Sequence, residues 1–202
     1  MTTHATTPPM RNSNEADDDQ LKVAERQGDA YGNALQAMAE EDGAVTCRAG
    51  DYLVAFINEK AEGMYELDGD RLIWREAAPR ATAHLEVAVA DAADGRFVPG
   101  LEVHVEVTAD GRPLVSTELP FLWHPFLYHY GSNAQLPGEG PYDVTVRIGA
   151  PHFMRHDPVN GKRYAEPVTA RFEKVRFASG RKLSPDASPR GADAPTAGAG
   201  GS

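Results

Sequence analysis

From about Ala44 onward the chain is written in short apolar runs that alternate with turn chemistry, and this alternation limits its fold more than any other feature. The runs are "DYLVAFIN", "MYEL", "DRLIW", "ATAHLEVAVAD", "LEVHVEVTAD", "PLVSTEL", "YDVTVRIG" and "VTARFEKVRF". Asp68-Gly69, Asp94-Gly95 and Asp110-Gly111 punctuate them. Asp-Gly pairs tolerate the left-handed backbone that closes tight hairpins. Many short strands at such spacing, with no helix among them, predict an all-β chain: an antiparallel β-sandwich over about residues 44–177.

The ends differ in kind. Residues 1–17 are rich in Thr, Pro, Asn and Asp, and residues 178–202 in Ser, Pro, Gly and Ala. Neither holds the apolar side chains needed to offset the entropy of ordering a chain, so a disordered leader and tail are expected. Between leader and sandwich, residues 18–43 place Leu21, Ala24, Tyr31, Leu35 and Met38 roughly on one face, which predicts a helical arm. Gly28 and Gly32 weaken that helix, and Gly43 stands just past its end.

Several function classes are excluded. The formal charge is −10, with 20 Lys and Arg against 30 Asp and Glu. Nucleic-acid binding needs clustered basic side chains to neutralise phosphates, and no such cluster is present. The acidic balance, with Arg dominating over Lys, suits either a salt-adapted surface or a GC-rich genome. Cys47 is the one cysteine, so any metal must be bound mainly by His, Asp, Glu or Met. No apolar run is long enough to span a bilayer, and "MTTHATTPPMRNSNEADDDQ" lacks a signal-peptide core. The sequence thus reads as unexported, or as one whose export signal was removed or replaced. No nucleophile elbow, phosphate-cradling glycine loop or CxxC motif is present.

Strand parity sorts the histidines. His104 shares a face with Glu102 and Glu106, opposite Leu101, Val103, Val105 and Val107, which reads as an ordinary solvated face. His84 and Glu86 lie together opposite Leu85, Val87 and Val89, a spacing that lets an imidazole and a carboxylate approach one ion. The stretch "WHPFLYHYGSNAQLPGEG", residues 123–140, holds His124 and His129 among aromatics. Pro125 argues against a regular strand there, which puts both histidines on an irregular connection. "GAPHFMRHD" adds His152, Met154 and His156 after another strand. Three histidine-bearing segments near strand ends fit a surface cleft for a transition metal. The alternative is a set of hydrogen-bonded core histidines.

Together "HLEV" at 84–87, "HYGSNAQLPGEGPYDVTV" at 129–146 and "FMRHDPVNGKRY" at 153–164 resemble the small periplasmic iron-transport proteins. The resemblance runs from about Ala83 to Phe177. It implies an immunoglobulin-like sandwich, generally a homodimer, that binds copper or another divalent metal and accompanies a high-affinity iron permease. By position it makes His84, His129 and His156 metal ligands and sets Glu86 close to them. The family carries a methionine seven residues before the histidine of His-Tyr-Gly, and here that position is Leu122. His124 or Met154 would then supply a fourth ligand, with His124 the better placed.

Loss of a thioether moves preference from Cu(I) toward Cu(II), Zn(II) and iron. The resulting expectation is an accessory protein of iron acquisition that holds or delivers an ion without turnover, copper first and iron or zinc otherwise. A mononuclear redox enzyme and a metal-free interaction module are the alternatives. Since histidine ligands bind unprotonated, affinity is expected to fall through the imidazole range near ~6.5.

Overall fold

A computed structural model describes residues 7–182. It opens with helix α1, Asp18–Asp42, and continues through eleven strands: β1 Val45–Ala49, β2 Tyr52–Glu59, β3 Met64–Asp68, β4 Arg71–Arg75, β5 Ala83–Asp91, β6 Val103–Ala109, β7 Arg112–Leu119, β8 Phe121–Leu122, β9 His129–Ala134, β10 Tyr142–Ile148 and β11 Val168–Val175. One sheet has the order β1-β2-β5-β9-β8, a second has β11-β10-β6-β7, and β3-β4 form a separate hairpin. Every strand pair is antiparallel. The chain is therefore a β-sandwich with one N-terminal helix.

Alternation builds the core. Val54, Phe56, Leu85, Val87 and Tyr130 from the five-stranded sheet meet Val103, Val105, Val107, Val144, Val146 and Phe172 from the other. The Asp110-Gly111 turn between β6 and β7 takes positive φ at both residues (49° and 75°), the backbone that a two-residue hairpin requires.

The outer face of the five-stranded sheet is also covered. Leu35 and Met38 of α1 pack with Leu127 onto Ala55, Ile57 and Ala88, so β5 is buried along its whole length. The helix starts on a capping box, with Asp17 accepting from the Gln20 backbone and Gln20 reaching back to the Asp17 N–H. It stops at Gly43 in the left-handed region (φ 70°). Gly28 has a packing reason absent from its sequence context: a Cβ there would sit 1.6 Å from the Asp94 carbonyl oxygen. No helix among the described residues is long and apolar enough to cross a membrane.

Two segments expected to be disordered are in part held on the sandwich. Thr7 donates to the Gly50 carbonyl, the Arg11 N–H donates to Asn160 Oδ1, and Ser13 donates to Asp157. At the other end the Gly180 N–H donates to the Thr82 carbonyl, and Ala61 pairs with Arg181 in a parallel bridge. Composition registers too few apolar residues for self-sufficient folding, but not the backbone partners that an existing sheet edge offers. The rest of the expected leader and tail lies outside the described residues.

Candidate metal centre

The register of three strands on the helix-covered face assembles the centre. His84 on β5 stands opposite Glu59 on β2 and Asn133 on β9, and Glu86 stands opposite Ile57 and Gly131. His129 opens β9 opposite Leu122. It is therefore a strand residue, not part of an irregular connection, while His124 does lie on the connection between β8 and β9. Pro125 interrupts the chain only between the two histidines.

The His-Tyr-Gly run has a local logic. His129 and Gly131 point to the outer face, whereas Tyr130 points into the sandwich, where its hydroxyl donates to the Val98 carbonyl and accepts from the Leu101 N–H. Gly131 leaves room for the His84 ring: a Cβ there would lie 2.9 Å from His84 Nε2 and 2.8 Å from Leu122 Cδ1.

His84, Glu86 and His129 offer ligand atoms that all lie within 4.8 Å of one another, and all three side chains are buried. Glu86 Oε1 is 3.8 Å from His84 Nε2, and Oε2 is 3.9 Å from His129 Nε2. The remaining ring nitrogens are committed. His129 Nδ1 lies 2.9 Å from the Leu127 carbonyl, an acceptor, so this nitrogen carries the proton. His84 Nδ1 lies 3.1 Å from Asn133 Oδ1. The Asn133 amide is itself oriented, because Nδ2 donates to the Glu62 carbonyl and Oδ1 accepts from the Glu62 N–H.

Both Nε2 atoms thus present lone pairs to a carboxylate, and neither has a hydrogen-bond partner among the described residues. Burial lowers the pKa of His84 to about 4 and also lowers that of His129. Both rings are therefore neutral near pH 7. Two buried acceptor nitrogens without a hydrogen-bond partner are costly, and a cation beside them removes the cost. The donors and their spacing fit a transition-metal ion with bonds of about 2.0–2.2 Å after small side-chain adjustments.

The other expected residues fall differently. His124 lines the same 210 Å³ cavity, with its ring 5.8 Å from that of His129. Its Nδ1 accepts from the backbone N–H groups of Phe126 and Leu127, which leaves the proton on Nε2 and no lone pair there for an ion. His156 does not join the cluster. It is exposed, pairs with Glu15 at 3.1 Å, and lines a separate groove beneath α1. Its segment is held there because Tyr164 donates to Asp91 and Asn160 is tied to Arg11. Met154 is fully exposed and also lines that groove. His104 stays on the open face of β6, 3.0 Å from the Ser116 hydroxyl.

Sequence reasoning missed Glu59, Glu62 and Lys182. Glu59 and Glu62 lie between the expected strand runs "DYLVAFIN" and "MYEL", and Lys182 lies in the expected tail. Glu59 comes opposite His84 only through the β2–β5 register.

Comparison with known proteins supplies the context. The UPF0423 proteins of Brucella abortus and Brucella suis are 33% identical over 107 residues, 45% of this chain. The match spans only 54% of their length, about half. Among solved structures, FetP of uropathogenic E. coli superposes with a TM-score of 0.55 at 21% identity, over 67% of this chain and 93% of that one. The copper-reconstituted P19 protein of Campylobacter jejuni gives 0.56 at 21%, over 68% and 96%. These likenesses establish the fold. A family described as Fe2+ transport protein matches residues 49–179, most of the sandwich, and the chain belongs to that family.

Proposed function

We propose that this protein binds a transition-metal ion through His84, Glu86 and His129 and holds or delivers it in iron acquisition, without turnover. The observation that carries this reading is the pair of buried, neutral imidazoles whose Nε2 lone pairs face one carboxylate. Membership of the Fe2+ transport protein family and the copper-bound structures of the fold neighbours support it. Imidazole plus carboxylate, with Leu122 in place of a thioether, suits Cu(II) first and iron or zinc otherwise. A membrane iron permease is the partner for such an accessory.

His156 enters this reading only through a second copy. Its own chain holds it away from the cluster and exposed, so a role as ligand requires a homodimer that brings it to the partner's cavity. His124 then shapes the cavity wall.

Metal titration of untagged protein tests the proposal. His84→Ala or His129→Ala should lower Cu(II) affinity by orders of magnitude, and His104→Ala should leave it unchanged. Equal, small effects at His129 and His104 would return these residues to core hydrogen-bonding and defeat the reading. Catalytic ferrous oxidation by the loaded protein would instead favour a redox enzyme.

A further inference from the structure

The 210 Å³ cavity beside Glu86 and His129 holds one group that the metal-binding reading leaves without a chemical role, the His124 imidazole. Its ring is fixed from behind, because Nδ1 accepts from the backbone N–H groups of Phe126 at 3.2 Å and Leu127 at 3.3 Å. The proton is therefore on Nε2. That N–H finds no acceptor among the described residues, and the nearby His129 Nε2 does not take it. His124 thus offers a hydrogen-bond donor to a cavity whose metal-binding groups are all acceptors.

Those groups do not complete a coordination shell. His84, Glu86 and His129 supply three ligand groups, one fewer than a transition-metal ion of this class takes. Leu122 puts hydrocarbon beside His84, its Cδ1 and His84 Nε2 meeting above Gly131, and supplies no donor. Met38 and Leu127 are engaged in apolar packing against Ala55, Ile57 and Ala88. The cavity itself is several times the ~30 Å³ of one water, so a small molecule fits beside the ion.

Charge narrows what that molecule is. With both imidazoles neutral, a divalent ion beside the Glu86 carboxylate leaves one net positive charge, which is costly in a buried setting unless it is balanced. A monoanion balances it. Glu59 and Glu62 also line the cavity and share the single Lys182 ammonium, so their remaining negative charge disfavours a dianion.

We propose that the ion held by His84, Glu86 and His129 keeps one position for a small exogenous monoanion, and that His124 Nε2–H is the donor that holds this anion in the cavity. This rests on the metal-binding reading above and bears on release. A small anion leaves without any rearrangement of the fold, so its position is where a ligand from an acceptor of the metal enters.

Azide titration of the copper-saturated protein, followed by azide-to-Cu(II) charge-transfer absorption, tests this, and saturating copper keeps changes in metal affinity out of the measurement. Wild type should bind one azide per copper. His124→Asn should weaken azide at least tenfold. Its amide oxygen can still accept from the Phe126 and Leu127 N–H groups, so the connection keeps its shape, but the shorter side chain withdraws the donor. His104→Asn, on the open face of β6, should change azide affinity less than twofold. The proposal is overturned if His124→Asn stays within twofold of wild type. It is equally overturned if azide binds only after Met38→Leu or His156→Ala, since a side chain would then already fill the position. Imidazole nitrogen couplings in the Cu(II) EPR spectrum of azide-free protein report His84 and His129 separately. Their absence would defeat the histidine reading, whereas couplings without azide binding would defeat only the open position.

Discussion

Asn133 and His84 face each other across the β5–β9 pair, and the amide decides which nitrogen of the imidazole carries the proton. The orientation of the amide is set in turn by two hydrogen bonds to the Glu62 backbone. The short segment after β2 therefore controls the direction of a buried lone pair on β5.

Asn133→Ala should release that control. The ring could then place its proton on Nε2, facing Glu86, and Cu(II) affinity should fall about 10–100-fold, the usual range for loss of a group that orients a metal-bound histidine. Calorimetric titration checks this, with circular dichroism showing that the sandwich remains. Ser116→Ala, which removes the partner of the exposed His104, is the matched control and should have no effect.

The pH dependence follows from burial. In the unfolded chain an imidazole titrates near ~6.5, but folded His84 does so at about 4 and folded His129 is also lowered, desolvation being the first cause in both. Between these values the unfolded chain binds more protons than the folded one, so metal-free stability is lost as pH falls from ~6.5 to ~4 and is flat above. For His84 alone this amounts to about 3 kcal/mol. Urea unfolding at pH 7 and pH 5 should show the loss, and His84→Gln should reduce it. Metal affinity should likewise persist below ~6.5, lower than ordinary imidazoles would allow. Half-loss of copper at ~6.5 would contradict the burial argument.

Leu122→Met should move metal preference toward Cu(I). Leu122 Cδ1 and His84 Nε2 crowd the same point above Gly131, so a thioether at this position would reach the histidine centre. Competition titrations under reducing and oxidising conditions should show Cu(I) affinity gained with little change for Zn(II).

Two glycines in α1 should answer alanine in opposite ways. At Gly28 a Cβ would run into the Asp94 carbonyl, and displacing the helix from the sheet should cost about 1–3 kcal/mol. Gly32 meets nothing within 4 Å, so Gly32→Ala should stabilise by about 0.5–1 kcal/mol through helix propensity. Thermal unfolding of the two variants decides this directly.

The sandwich was legible in the sequence because hairpin chemistry and period-two alternation are local. Asp110-Gly111 closes its turn with its own backbone, and Leu85, Val87 and Val89 mark a core face without reference to any partner. The pairing of His84 with Glu86 was legible for the same reason, as two residues on one side of one strand. What covers that side was not, since the packing of Leu35 and Met38 onto β5 joins residues far apart in the chain.

Only the tertiary structure decided which histidines meet. Strand register brought His129 to His84 and Glu86, two backbone N–H groups turned His124 away as a donor, and the hold on the 157–164 segment kept His156 on another surface. Glu59, Glu62 and Lys182 entered by the same route. Register and segment docking are set by the sum of many weak contacts between distant residues, so no short stretch of sequence carries them.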